Sequence, residues 1–183
     1  MPIKFIATCL TREQEQACGS LGIDVVCNYA RSHGEIEAGC VTDFSVHCFN
    51  SVTLEVLKYL GVSRATLHPE LNLAQIRDMD KCIDTEVVIY GKLPLMKIGN
   101  PVINGMITDR TGARFFVRGD NLYNSVPVFM GDKLKEVEKA GVTHGRLIFT
   151  TETAPEVCAV IRANMYRKML KIEYTRGKFY SGV

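Results

Sequence analysis

Short β-branched runs alternate with amphipathic stretches along the chain, and the alternation predicts strands and helices in turn. "IKFIATCL" (3–10) reads as a strand, after which Thr11 and Gln14 form a capping-box pattern opening a helix that stops near Gly22. "IDVVCNYA" (23–30) is the next strand, followed by the glycine-containing connection "RSHGEIEAG". "FSVHCFN" (44–50) is expected as a third strand, and Ser51 opens "VTLEVLKYL", where Val52, Val56 and Leu60 share a face before Gly61 ends the helix. "RATLHPEL" (64–71) is a fourth strand, Asn72 with Gln75 caps "LAQIRDM", and "TEVVIYGKL" (85–93) is a fifth. Further on, Asp132 is expected to cap "KLKEVEKAG", and "HGRLIFTTE" (144–152) is a late strand. Thr153 with Glu156 caps a long helix that aligns Val157, Ile161 and Met165.

Strands that are continuously apolar and alternate with helices indicate a parallel sheet covered by helices, an α/β fold. One interruption stands out: between Pro94 and Pro127 no helix follows the strand, Gly99 to Pro101 turns the chain, and "GMITDRTGARFFVRGD" reads as a β-hairpin turning at Thr111-Gly112. An irregular insertion after a late strand suits a (βα)8 TIM-type barrel, whose site loops lie at the carboxyl ends of its strands. Only six or seven barrel-type strands are found where eight are needed. The chain is therefore an open α/β sheet or a partial barrel, and residues 1–183 read as a single domain.

Composition narrows the classes. Apolar residues make up 46% and charged residues 23%, as in ordinary globular proteins, and a net charge of +2 with mixed signs gives no case for a dedicated nucleic-acid binder. No secretory leader follows Met1 and no run approaches the roughly 20 apolar residues of a membrane span, so a cytoplasmic protein without membrane attachment is expected. Seven cysteines lie scattered without CxxC spacing and read as small core residues in a reducing compartment.

The segments "TDFSVHCFNS", "LHPELNLAQI", "EVVIYGKLPLM", "DRTGARFFV", "LYNSVPVF" and "YTRGKFYSGV" occur in an order and spacing that resemble the collagenase-like peptidase family, the peptidases of unassigned mechanism numbered thirty-two. The resemblance runs from about Ile23 to Val183 and implies a modified (βα)8 barrel, of which this chain would be the carboxy-terminal portion. It implies a peptidase or hydrolase. The alternative is a non-catalytic barrel portion, related to tRNA or ribosomal-RNA hydroxylation factors, that binds RNA or a partner. Cluster-binding relatives carry cysteines after the "YGKLPLM" motif, whereas Gly91 to Tyr123 contains none and Asn100-Pro101 stands where relatives often read Cys-Pro. No cofactor is therefore expected, an iron–sulfur cluster included, because thiolates are its basic requirement. An incomplete barrel would leave strand edges to pair, so a homo-oligomer, or pairing with a missing amino-terminal barrel segment, is expected.

The barrel frame also sets the candidate site residues. Glu70 ends one barrel strand and Tyr90 to Lys92 end the next, so all three are expected at the mouth, with Glu70 as base or hydrogen-bond acceptor. Arg114 is an anion clamp on the hairpin, and Tyr123 with Asn124 lets the insertion fold back to complete a polar pocket for a peptide or RNA. His47 and Cys48 are adjacent on an expected strand and so point to opposite faces, which argues against a Cys-His nucleophile pair. His33, Cys40, His47 and His68 have metal-ligand chemistry without a recognisable spacing. The tail "YTRGKFYSGV" can stack on bases but is expected to dock its aromatics on the barrel.

Overall fold

The computed structural model describes residues 2–98 and 105–181. In chain order its elements are β1 (Lys4–Thr8), α1 (Arg12–Ser20), β2 (Asp24–Val25), β3 (Tyr29–Ala30), β4 (Val41–Thr42), α2 (Ser51–Tyr59), β5 (Arg64–Thr66), α3 (Leu73–Asp78) and β6 (Asp84–Gly91). Four strands come next, β7 (Pro94–Lys97), β8 (Gly105–Thr108), β9 (Arg114–Arg118) and β10 (Asn121–Tyr123). The chain then returns through β11 (Val128–Phe129), α4 (Leu134–Lys139), β12 (His144–Ile148) and α5 (Ala154–Met165).

Seven of these strands form one parallel sheet in the order β2-β1-β12-β6-β5-β4-β3, with β11 added antiparallel against the end of β6. The two edge strands are consecutive in the chain, separated by residues 26–28 alone. Seven strands laid flat would put the edges about 29 Å apart at 4.8 Å per step. Val25 and Tyr29 are four Cα steps apart, about 15 Å at full stretch. The sheet must therefore curl, and it is a partial TIM-type barrel with helices outside. The single strand expected over 23–30 is broken in two because its first half pairs with β1 and its second with β4.

Outward-facing Ala7, Val87, Leu147 and Phe149 share one buried cluster with Leu54 and Leu57 of α2, Ile76 of α3, Leu134 and Val137 of α4, and Val157 and Ile161 of α5. Each buried Val, Leu, Ile or Phe among them contributes about 2 kcal/mol. The capping boxes at Thr11–Gln14, Asn72–Gln75 and Thr153–Glu156 all form. The insertion is a four-stranded antiparallel sheet, β7-β10-β9-β8. Its turn is set by Asp109 Oδ1, which accepts from the Thr111 and Ala113 amides, and by Gly112 at φ 89°. The turn expected at Gly99 to Pro101 lies outside the described residues.

Four expectations need correction. The third strand is not 44–50 but Val41–Thr42, because 44–46 winds into a 3₁₀ turn that His47 ends in the left-handed region, at φ 59°. Beyond that turn only Cys48 regains a bridge, to Leu67. Helix α2 is capped by Asn50, whose side chain accepts from the Thr53 amide, and it buries Leu54 and Leu57. The shared face of Val52 and Val56 is instead exposed, at 66% and 52%. Met165 is likewise exposed at the end of α5, although Val157 and Ile161 are buried as aligned. Asp132 does not cap α4, since its carboxylate is taken by Arg176 at 2.5 and 2.9 Å. That pair ties down the tail, where Phe179 is buried and the Tyr180 hydroxyl donates to Glu136.

Candidate functional site

Register partners in a parallel sheet point the same way, so Arg64, Thr66, Glu86, Arg146 and Tyr29 converge on the inside of the curl. Glu86 is fully buried and accepts from the Tyr29 hydroxyl at 3.0 Å and the Thr66 hydroxyl at 3.0 Å. Arg64 Nε stands 3.0 Å from its other oxygen, off the hydrogen-bonding direction, and Arg146 Nε stands 4.0 Å away. Arg146 donates to Thr8 Oγ1 at 2.9 Å and to Asp43 Oδ1 at 2.5 Å, and its guanidinium lies over the Tyr29 ring at 3.9 Å. Burial pushes the Glu86 carboxyl up, against the pull of Arg146 and Arg64. The Tyr29 phenol is also pushed up, by burial first. Two cations thus face two carboxylates inside the barrel, and Glu86 has no exposed surface.

At the carboxyl ends of the strands the antiparallel sheet is tied to the barrel. Arg118 donates to the Leu10 carbonyl at 3.2 Å, and the Asn124 amide donates to the Leu93 carbonyl at 2.9 Å. Tyr123 packs on Phe116 with centroids 5.9 Å apart. Burial raises its phenol, opposed by the nearby charges of Arg118 and Arg31. His68 stacks between Phe49 and His47, at 4.1 and 5.2 Å, beyond the ends of β4 and β5.

A cavity of about 330 Å³ opens beside the ends of β6 and β12, against the first turns of α5. Its polar lining comes from Tyr90, Lys92, Ser125, Thr151, Glu152, Glu156 and Glu173, over an apolar floor that includes Val126, Pro127 and Val160. The Tyr90 hydroxyl donates to Glu152 at 3.0 Å, and the other Glu152 oxygen takes the Thr150 amide. Lys92 Nζ donates to Thr151 Oγ1 at 3.1 Å, and Glu156 accepts from the amide and hydroxyl of Thr153. Bonding from the Thr153 amide holds the Glu156 carboxyl below the ordinary range. Burial, then Glu152, pushes the Tyr90 phenol up.

Of the six site residues expected from sequence, the structure gathers Tyr90 and Lys92 in this cavity, with Asn124 next to its Ser125. Glu70 is exposed on the turn after β5, where its amide meets His68 Nδ1 at 3.4 Å, and Arg114 is exposed on β9. Tyr123 lies on the inserted sheet. Tyr90 faces out of the barrel because β6 carries an extra residue: Arg146 pairs with Val88 and Leu147 with Tyr90, so Ile89 forms a bulge that re-aims the side chain after it. Sequence reasoning passed over Glu86, Arg146 and Arg64. The available signal was a charge inside an otherwise apolar strand, as in "TEVVIYG" and "HGRLIF". Cys48 is buried and His47 exposed, although the strand alternation expected of the pair gives way to the left-handed turn at His47. Among the described residues no group of three or more His, Cys, Asp or Glu stands close enough to hold a metal ion. No helix there is long and apolar enough to cross a membrane.

A family model described as Peptidase family U32 matches residues 26–115, the stretch from before β3 into β9. No curated protein and no solved structure matches the chain.

Proposed function

We propose that this chain, whose residues 26–115 match the model of peptidase family U32, binds a peptide in the cavity between β6, β12 and α5. One observation carries the reading. Lys92, Glu152 and Glu156 line the cavity, and each is hydrogen-bonded to uncharged groups of this chain. Lys92 acts on Glu156 through its charge, but no salt bridge among the described residues closes these three groups, which separates this site from the barrel interior, where Arg146 is paired with Asp43. Opposite charges over an apolar floor match a peptide segment, whose amine or basic side chain meets a glutamate while its carbonyl or carboxylate meets Lys92. With Glu173 at the edge, three acids face one lysine, which repels a phosphate backbone.

The test is fluorescence anisotropy with a set of labelled short peptides, paired with an assay for newly formed amino termini. Wild type is expected to bind peptides with basic residues, and Lys92→Ala and Glu152→Gln are each expected to weaken binding about tenfold, the equivalent of about 1.4 kcal/mol. Unchanged binding in both variants refutes the reading.

A second reading, RNA binding at the mouth, is favoured by Arg31 and Arg118, whose charges act on the Tyr123 phenol. It predicts salt-sensitive binding of single-stranded RNA that Arg118→Ala weakens and Lys92→Ala does not.

A further inference from the structure

Two cysteines at the start of the chain are in direct contact. Cys9 follows the last residue of β1, Cys18 lies on the next element, α1, and their sulfurs stand 3.6 Å apart. Both are free thiols; Cys18 is buried and Cys9 is partly accessible. The contact arises from the local fold. The capping box at Thr11 and Gln14 turns the chain sharply after β1 and lays α1 back along the strand, which brings position 18 over position 9. Gln14 reinforces the turn by accepting from the Leu10 and Thr11 amides while donating to the carbonyls of Thr150 and Glu152. The two sulfurs are thus held together by structure that does not depend on a bond between them.

We propose that Cys9 and Cys18 are a dithiol oxidation site that forms a reversible disulfide on reaction with a hydroperoxide. One sulfur attacks the peroxide oxygen, breaking the O–O bond to give a sulfenic acid and water or an alcohol. The second sulfur then attacks the first and displaces its hydroxyl as water. Two protons and two electrons leave the pair, and the hydroperoxide is the species reduced. Hydrogen bonding between the two sulfurs raises Cys9 and lowers Cys18, which makes Cys18 the more acidic thiol of the pair. Cys27 is exposed and lies close enough to Cys9 to act on its charge, which makes it the competing partner.

The crosslink would sit between two contacts of the site region. Thr8, one residue before Cys9, accepts from Arg146, and Leu10, one residue after, accepts from Arg118 of the inserted sheet. Oxidation of the pair therefore bears on the joint between barrel and inserted sheet. This inference does not depend on the peptide-binding reading.

The experiment treats the native chain with a stoichiometric hydroperoxide, alkylates the remaining thiols, digests with trypsin and reads the peptides by mass spectrometry. Cleavage at Lys4, Arg12 and Arg31 puts Cys9 in 5–12, and Cys18 with Cys27 in 13–31. The expected result is loss of two of the seven thiols, a crosslink of 5–12 to 13–31 that persists in Cys27→Ser, and full recovery with a reductant. Cys9→Ser, at the partly accessible position, is expected to lose the crosslink and keep its fold by circular dichroism. A crosslink that disappears in Cys27→Ser, an alkylation pattern with all seven thiols intact, or sulfinic acid without crosslinking would each overturn the proposal.

Discussion

The Tyr29 hydroxyl on β3 donates to Glu86 Oε1 on β6 at 3.0 Å, although β4 and β5 stand between those strands in the sheet. Non-adjacent strands share a side-chain hydrogen bond only where the sheet curls enough to face itself. The contact thus records the curvature, and it ends on a carboxylate that also touches Thr66 and Arg64.

Replacing that carboxylate removes the anion facing Arg64 and Arg146 and leaves two cations in the barrel with Asp43 alone. Glu86→Gln is expected to destabilise the fold by about 3 kcal/mol, the scale for breaking a buried charge pair. Urea denaturation followed by circular dichroism measures it, and a loss below about 1 kcal/mol would show that water already reaches the network.

Stability is expected to fall as pH drops below about 6.5. His144 is buried on β12, and burial, aided by the charge of Arg64, holds its imidazole below the ordinary histidine range. Between the folded and unfolded values the unfolded chain binds the extra proton, so acid favours unfolding. His68 shares the direction, again through burial. Glu86 is raised and acts in the opposite sense, so the comparison with His144→Gln isolates the imidazole. The denaturation midpoint of wild type should drop more than that of the variant between about pH 7 and about pH 5.5.

Gly91→Ala is expected to cost more than about 2 kcal/mol. Gly91 ends β6 at φ 138°, and an added Cβ would sit 2.5 Å from the Ile148 carbonyl oxygen of β12. Thermal denaturation of the variant beside Gly112→Ala is the check, because Gly112 has open space around its Cβ position and shares only the positive φ.

Arg176→Ala removes the paired contact to Asp132 and the bond to the Phe129 carbonyl. A loss of about 1 to 2 kcal/mol is expected, with faster tryptic cleavage at Lys178 as the tail detaches. A cleavage rate equal to wild type would show that Phe179 alone holds the segment.

Locally encoded features were legible in the sequence. The capping boxes, the Thr111-Gly112 turn and the long strands β1, β6 and β12 each have their cause within a few residues. Features decided by distant partners were not. Phe44, Val46 and Phe49 have strand character, yet the pairing falls to Val41 and Thr42 because β3 and β5 meet the chain there. Periodicity found the apolar stripe of α2 but not that Leu54 and Leu57, rather than Val52 and Val56, face the core. Alternation from Glu86 through Val88 puts Tyr90 inside, and the bulge at Ile89 puts it in the cavity instead.

The neighbours of β1 set the order in which this fold can be completed. Its partner on one side is β12, with Lys4 in register with His144, and the ring therefore cannot join until residues near 148 have left the ribosome. At cellular elongation rates that is on the order of ten seconds after β1 and α1 emerge. During that interval β1 has only the two residues of β2 beside it, and the far side of β6 is bare. Nascent chains halted before residue 144 should therefore stay protease-sensitive and chaperone-bound, and those extended past α5 should become resistant in one step.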